Sequence, residues 1–303
     1  MATVQEALSL ALDHHLGGRT VEAERIYAAI LDAVPDHPDT LHLFGLLRAQ
    51  TGRLDEAVAL LDRAVAARPD HPESRVNLGK AHRAAGRPAE AAAAYREALR
   101  LCPDAPEVAF VLAGLERDLG RRSAAIAAFL HTALLQPDLA EAWLQAGALL
   151  RQTGRGEDAV RCLRHAVRLR PDHAPAWHQL GVALQRAGDE ESIAVLRQAA
   201  ALDPLDPQVR LNAARALCDG GRWAEAARQL AAALALDPAA VDVLELLGVV
   251  RWRQRGAADP LPCYRRALRL DPEHPNRWTA LAIAAAERGQ RAVAGLPSNG
   301  PCR

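Results

Sequence analysis

Residues 72–105 read PESRVNLGKAHRAAGRPAEAAAAYREALRLCPDA, and the pattern of this stretch recurs along most of the chain. A proline, a glycine and an alanine each repeat every 34 residues: Pro35, Pro69, Pro103, Pro137 and Pro171; Gly52, Gly86, Gly120 and Gly154; Ala57, Ala91, Ala125 and Ala159. A fixed period of this length is typical of stacked supersecondary units, because one such unit is too small to bury its apolar face alone. The chain is therefore predicted to be a solenoid that presents surface.

Each period is predicted to hold two helices. Leu78 and Ala81 mark the apolar face of a first helix that ends near Gly86, and Pro88 suits the first position of a second helix, where its missing N–H costs nothing. Tyr95 lies on the apolar stripe of that second helix. Burial of each large side chain contributes roughly 1.5–3 kcal/mol, so several are needed in every repeat to offset chain entropy.

The repeated residues resemble those of the tetratricopeptide repeat (TPR) family. The first half of its motif is carried by Trp177, Leu180, Gly181, Leu184 and Gly188, and the second by Ala23-x3-Tyr27, Ala91-x3-Tyr95 and Ala125-x3-Phe129. The resemblance implies an all-α, right-handed α-solenoid of about eight helix-turn-helix repeats over residues 1–290, with a partial C-terminal capping helix. The repeats are expected to begin near residues 4, 38, 72, 106, 140, 174, 207 and 241, with a partial repeat from 275 and a disordered tail over 291–303.

Two repeats depart from the period. The repeat at 174–206 has 33 residues, with one residue lost in the turn around Gly188 and Asp189. The repeat at 241–274 has Arg255 in place of the glycine between its helices, and Pro260 where the close-packed alanine belongs. Because proline inside a helix costs about 3 kcal/mol, the second helix of this repeat is predicted to begin late, near residues 259–260.

The composition excludes several classes of protein. The net charge of the 303 residues is zero, which removes the global field that favours nucleic acid or anionic membrane. No apolar run approaches the ~18 residues that span a bilayer, and the N-terminus lacks the basic region of a secretory signal. The five isolated cysteines predict no disulfide framework and favour a reducing cytoplasm, and the abundant alanine and arginine suggest a bacterial source.

The sequence contains no motif of phosphate-binding loops, dinucleotide sites or serine nucleophiles, so no catalytic residue and no cofactor are predicted. Histidines recur in the turns between repeats, where turn or capping roles are expected rather than metal ligation; these are His37, His71, His173 and His274. Histidines within the first helices are predicted to be surface residues; these are His14, His15 and His42.

Resemblance to TPR arrays implies that the first helices line a concave groove, and four amide side chains share one groove position: Asn77, Gln145, Gln179 and Asn212. A line of amides can hydrogen-bond the backbone of an extended peptide, because each amide both donates and accepts. The family's O-N-acetylglucosaminyltransferases carry an asparagine ladder of this kind. The alternative is that an amide is simply common at this position of the repeat.

Basic residues form a second pattern in the predicted groove: Arg83, Arg117 and Arg151 share one position of consecutive repeats, joined by Lys80 and, further along, Arg186 and Arg215. Stacked repeats would align these cations in a stripe suited to carboxylates. The alternative is that they are solvated helix ends that complement the helix dipole. Phe110 and Trp252 are expected to face the groove as binding anchors, although Trp252 equally suits local repacking, whereas Trp143, Trp177 and Trp278 are predicted to be packing residues.

The function expected from these features is a non-catalytic scaffold that binds an extended, acidic peptide in its concave groove. A protein or peptide partner is predicted, and neither nucleic acid, membrane nor metal. The alternative is a substrate-recognition array, or a truncated relative, of a TPR-containing glycosyltransferase or sulfotransferase, since the repeat pattern is lost after Gly289. Homodimerisation through an exposed helix face or through the uncapped C-terminal end of the array is a further expectation.

Overall fold

The computed structural model describes residues 3–254 and 259–272, and within these residues it contains sixteen α-helices and no strand. The predicted partial repeat from 275 and the predicted tail lie outside the described residues, as do Arg255, His274 and Trp278. The helices are α1 Val4–Leu16, α2 Thr20–Ala33, α3 Pro38–Gln50, α4 Leu54–Ala67, α5 Pro72–Ala84, α6 Pro88–Leu101, α7 Pro106–Asp118, α8 Arg122–Leu135, α9 Ala140–Gln152, α10 Gly156–Leu169, α11 Ala174–Arg186, α12 Glu191–Leu202, α13 Pro207–Asp219, α14 Trp223–Leu236, α15 Val241–Arg253 and α16 Leu261–Leu270.

The helices fall into two compact units, residues 1–149 and 150–303, whose boundary lies within α9. In the first unit α1 packs on α2, α3 on α4, α5 on α6 and α7 on α8, and the second helices α2, α4 and α6 also pack on the first helix of the next pair. The second unit repeats this arrangement in the pairs α11–α12, α13–α14 and α15–α16. The fold is the all-α helical-repeat solenoid that the 34-residue period predicts.

The core of each pair combines a large side chain on the second helix with a small residue on the first. Tyr95 of α6 is 2% exposed, and its ring lies against Gly79 of α5, where an added Cβ would come within 3.0 Å of the ring. Tyr264 of α16 lies against Gly248 of α15 in the same way. The glycine of the motif is therefore required by the close approach of the two helices.

A glycine with positive φ ends the first helix of seven of the pairs, from Gly18 (φ 73°) to Gly221 (φ 70°). In the turn after α5, Gly86 has φ 72°, and the next residue, Arg87, donates its backbone N–H to the carbonyl oxygen of His82 at 2.9 Å. This left-handed residue satisfies a carbonyl at the helix end and turns the chain into α6.

Replacing Gly86 by alanine is expected to lower the free energy of unfolding by about 1–2 kcal/mol, since a Cβ strains left-handed backbone. An added Cβ would have no atom within 4 Å at either Gly86 or Gly114, a glycine inside α7 that serves as the control. Gly114→Ala is expected to stabilise the protein by up to about 1 kcal/mol, because alanine favours helix. Urea denaturation measures the change in the free energy of unfolding for both variants. If both variants were destabilised, or both stabilised, left-handed backbone strain at Gly86 would not explain the result.

In both irregular repeats the second helix is shortened. The helix α12 has 12 residues, whereas α2, α4, α6, α8, α10 and α14 have 14 each. Ser192, 3% exposed, occupies the close-packed position of α12. The late start of α16 at Leu261 is confirmed, with Pro260 at the N-cap. The Asp259 carboxylate accepts the N–H of Leu261 at 3.0 Å, which stabilises the helix start.

The histidines of the turns and of the first helices behave differently from one another. Capping by His37 and His71 is confirmed: each ring accepts through Nδ1 the backbone N–H three residues on, at 3.3 Å, whereas the His173 ring caps no backbone N–H. The prediction that His15 and His42 are surface residues is wrong, since they are 9% and 8% exposed. Both rings form hydrogen bonds to the next repeat and are buried by it; the His15 Nε2 lies 2.8 Å from Gln50 Oε1.

Candidate functional site

The predicted binding residues lie on the odd-numbered helices, which are the first helices of the repeats. The helix faces that carry these residues are called the first-helix surface. In the first unit this surface carries Asn77, Lys80, Arg83, Phe110, Arg117 and Gln145, and in the second unit Arg151, Gln179, Asn212, Arg215 and Trp252.

Two of the predicted amides hold arginines of the preceding repeat. In the first unit Arg117 donates through Nη1 to Gln145 Oε1 at 3.0 Å, and in the second unit Arg151 donates through Nε to Gln179 Oε1 at 3.1 Å. Both amides are partly buried, and Gln145 also donates to Glu141 Oε1 at 2.7 Å. An amide oxygen orients a guanidinium without neutralising its charge.

The other two predicted amides are buried between repeats. Asn77, 7% exposed, donates through Nδ2 to His42 Nε2 at 3.0 Å, and its Oδ1 accepts from Lys80 Nζ at 3.3 Å. In the second unit Asn212, 8% exposed, donates to His178 Nε2 at 2.6 Å and accepts from Arg215 Nη1 at 3.5 Å. The asparagines thus support cations, and sequence reasoning missed both histidines that anchor them.

The basic residues differ in how far carboxylates compensate their charge. Arg117 is paired with Asp118 at 3.0 Å, whereas in the described part of the chain Arg83 has no carboxylate within 4 Å. Arg151 is half-buried, and burial together with the positive charge of Arg186 lowers its pKa. Arg83, Arg151 and Arg215 therefore have more to gain from an incoming anion than Arg117.

Two clefts adjoin the first-helix surface, one in each unit. The first unit has a largely apolar cleft of about 260 Å³, bordered by Val76, Asn77, Lys80, Ala98, Cys102 and Val108. The second unit has a cleft of about 610 Å³ whose border includes four arginines: Arg151, Arg161, Arg164 and Arg186. Arg161 pairs with Asp158 and Arg164 with Glu191, so those two cations are already compensated.

The aromatic residues of the first helices differ in exposure. Phe110 is half-buried because its ring packs edge-on against Phe129 of α8, at a centroid distance of 5.5 Å. Trp252 is 37% exposed and lies beneath the Arg253 guanidinium at 5.1 Å. Trp143 and Trp177 are half-buried, and each donates its indole N–H to the proline carbonyl oxygen of the preceding turn, at 3.0 and 2.8 Å.

Within residues 3–254 and 259–272 no three His, Cys, Asp or Glu side chains lie close enough to hold a metal ion. Burial raises the pKa of Cys218 to about 11, which keeps this thiol protonated and unreactive at neutral pH. None of the described helices is both long and apolar enough to cross a bilayer.

Comparison with protein families agrees with this architecture. The profile described as tetratricopeptide repeat matches residues 16–80, and that of the cilia and flagella-associated protein 70 C-terminal domain, a TPR profile, matches residues 49–269. The chain belongs to the tetratricopeptide repeat family. No curated protein matches the sequence of this TPR chain significantly.

Solved structures show the same TPR fold. YrrB, described as a TPR protein with an unusual peptide-binding site, is 21% identical with a TM-score of 0.55, over 65% of this chain and 99% of that chain. The Naa15/Naa10 complex bound to HypK-THB is 19% identical with a TM-score of 0.65, over 94% of this chain and 46% of the matched chain. The C-terminal part of a TPR protein from Cytophaga hutchinsonii is 12% identical with a TM-score of 0.62, over 79% of this chain and 99% of that chain.

Proposed function

We propose that this TPR protein is a non-catalytic scaffold that binds an extended, acidic segment of a partner protein along its first-helix surface. The observation that carries the proposal is the pairing of its cations with amides. Arg117 pairs with Gln145 and Arg151 with Gln179 of the next repeat, and Lys80 pairs with Asn77 of its own helix. A cation fixed by an amide keeps its charge and has already lost side-chain freedom, so less entropy is lost when a carboxylate binds. The peptide-binding site of YrrB supports this proposal by analogy.

The proposal predicts that reversing the charge of Arg83, Arg117 and Arg151 together weakens binding of an acidic peptide. A fluorescent oligo-aspartate peptide serves as the probe, and fluorescence anisotropy at low salt measures its Kd. The triple glutamate variant is expected to bind about tenfold or more weakly, because like charges then face the ligand. Circular dichroism is expected to show unchanged helicity, since Arg83 and Arg117 are exposed and Arg151 is only half-buried.

The matched control reverses three exposed arginines on second helices: Arg25, Arg100 and Arg228. This control changes the net charge by the same amount, so a purely global charge effect would weaken binding equally in both variants. Equal loss in the two variants would refute the first-helix surface as the binding site. Failure of the wild-type protein to bind oligo-aspartate would refute the acidic character of the ligand.

A further inference from the structure

One arrangement of three side chains occurs once in each unit. A histidine on one first helix accepts from an asparagine on the next first helix, and that asparagine accepts from a cation three residues further on. The members are His42, Asn77 and Lys80 in the first unit, and His178, Asn212 and Arg215 in the second. We propose that these His–Asn pairs position Lys80 and Arg215 to bind acidic side chains of the partner, and that protonation of the histidines releases both cations. This inference rests on the proposed function.

The hydrogen bonds of the first unit fix the protonation state of its histidine. The Asn77 Nδ2 can only donate, so His42 Nε2 must accept, and the His42 proton lies on Nδ1. That N–H donates to Ser74 Oγ at 2.7 Å, and the Ser74 hydroxyl donates in turn to His71 Nδ1 at 2.9 Å. Ser74 is 4% exposed and His42 8%, so the hydrogen bond between them is shielded from solvent. The ring of His42 is therefore neutral in this arrangement.

The orientation of each asparagine follows from its two partners. With Nδ2 toward the neutral histidine, Oδ1 faces the cation, and every donor meets an acceptor. Rotating the amide by half a turn would set its NH₂ group against the Lys80 ammonium or the Arg215 guanidinium, two donors facing each other. The neutral histidine and the cation thus select the same rotamer, and the asparagine couples them.

Lys80 and Arg215 are the parts of this arrangement that reach solvent. Both side chains are exposed, and in the described part of the chain no carboxylate lies within 4 Å of either. Lys80 also borders the apolar cleft of the first unit, together with Glu73. An exposed cation that has no carboxylate partner, and that a buried asparagine holds in position, is suited to bind an incoming carboxylate.

Protonation reverses the preference of the amide. An imidazolium carries N–H groups on both nitrogens, so Nε2 can no longer accept from the asparagine. The amide must then rotate to present Oδ1 to the histidine, which turns its NH₂ group toward the cation and breaks that hydrogen bond. Each cation loses its support and faces a new positive charge.

The surroundings of His42 place its protonation in the acid range. Burial lowers the pKa of His42 from its usual value of 6.5, and the carboxylates of Glu73 and Asp39 oppose this shift, while His71 and Arg68 reinforce it. Because the folded pKa is below that of the unfolded chain, the neutral form and its stabilisation are fully present above about pH 6.5 and are lost as the pH falls below it.

His178 responds in the same direction. Burial lowers its pKa from 6.5, the carboxylate of Asp206 opposes the shift, and the charge of Arg151 reinforces it. Both units are therefore expected to lose their positioned cations only at a pH below 6.5.

The test measures oligo-aspartate binding between about pH 7.5 and 5.5, a range in which aspartate stays ionised and histidine titrates. General electrostatics predicts tighter binding as the pH falls, because the protein's histidines gain positive charge. The proposal predicts the opposite, a loss of about fivefold in affinity, with helicity retained by circular dichroism at both limits. Affinity that rises or stays constant on acidification overturns the proposal.

Two pairs of variants separate positioning from bulk charge. His42→Gln with His178→Gln keeps an acceptor for each asparagine but cannot titrate, so its affinity is expected to stay constant or rise as the pH falls, without the loss expected for the wild-type protein. Lys80→Gln with Arg215→Gln is expected to weaken binding about fivefold near pH 7.5, and the control pair Arg25→Gln with Arg100→Gln less than twofold. If the histidine variant fails to fold, the direction in which the affinity of the wild-type protein changes with pH still tests the proposal.

The outcomes also separate this inference from the proposed function. Wild-type protein that binds no oligo-aspartate refutes both. Binding that is lost on charge reversal of Arg83, Arg117 and Arg151, but that is insensitive to Lys80→Gln with Arg215→Gln and tightens at low pH, refutes this inference alone.

Discussion

Replacing Phe129 by alanine is expected to lower the free energy of unfolding by about 3–5 kcal/mol, the range found for loss of a buried aromatic ring. Phe129 is 1% exposed on α8, and its ring forms the edge-to-face contact with Phe110 of α7, a contact worth about 0.5–1.5 kcal/mol beyond burial itself. Since each repeat of a solenoid is stabilised mainly by its neighbours, a cavity between α7 and α8 weakens the middle of the array.

Leu134 provides the control for this prediction on the same helix. It is 73% exposed, so Leu134→Ala removes a comparable apolar side chain with an expected change within about 0.5 kcal/mol. Guanidinium denaturation followed by circular dichroism compares the two variants. A loss below about 1 kcal/mol for Phe129→Ala would mean that the α7–α8 interface closes over the cavity, contrary to the expectation.

The helix boundaries could be predicted from sequence because proline and glycine act through local backbone geometry. The late start of α16 at Leu261 follows from the prolines at 260 and 262, and the turn at Gly86 follows from a positive φ that glycine adopts without strain. Such effects depend on one or two residues and need no knowledge of the rest of the fold. Because the period is constant, a helix boundary predicted in one repeat also predicts the boundary at the equivalent position of the other repeats.

The contacts of the first-helix surface depend on neighbouring repeats, and for this reason they were predicted less well. His42 is predicted to be a surface residue of a first helix, yet its ring accepts a hydrogen bond from Asn77, which lies 35 residues further along the chain. The same pairing recurs between His178 and Asn212, which are 34 residues apart. This recurrence of a histidine and an asparagine at nearly the same spacing could have revealed the pairing from the sequence.

The hydrogen bonds of the arginines also depend on neighbouring repeats. Arg117 and Gln145, and likewise Arg151 and Gln179, are separated by 28 residues, a spacing that joins the end of one first helix to the next. The sequence alone correctly placed each residue type on the first helices. It could not show that an amide binds the arginine of the preceding repeat, because that depends on how adjacent helices are aligned.

Gly181→Ala is expected to destabilise the protein by about 1–3 kcal/mol, although alanine favours helix over glycine by about 1 kcal/mol. A Cβ at this position would lie 2.5 Å from Leu196 Cγ, 2.7 Å from Leu196 Cδ2 and 3.3 Å from the Leu196 backbone nitrogen. Leu196 is fully buried, so its side chain has no free space to move into. Ala113, two periods earlier, shows that alanine itself is compatible with this position of the repeat.

A double-mutant cycle with Leu196→Ala locates the cost in that single contact. Leu196→Ala alone is expected to cost about 2–5 kcal/mol, since it leaves a cavity between α11 and α12. In that background the Cβ at residue 181 has room, so Gly181→Ala is expected to be neutral or stabilising, with a coupling energy of about 1–3 kcal/mol. Strictly additive effects in denaturant titrations would show that α11 and α12 move apart to admit the methyl group. The helix separation would then be set by the rest of the interface, and the glycine would be a consequence of close packing in this repeat rather than its cause.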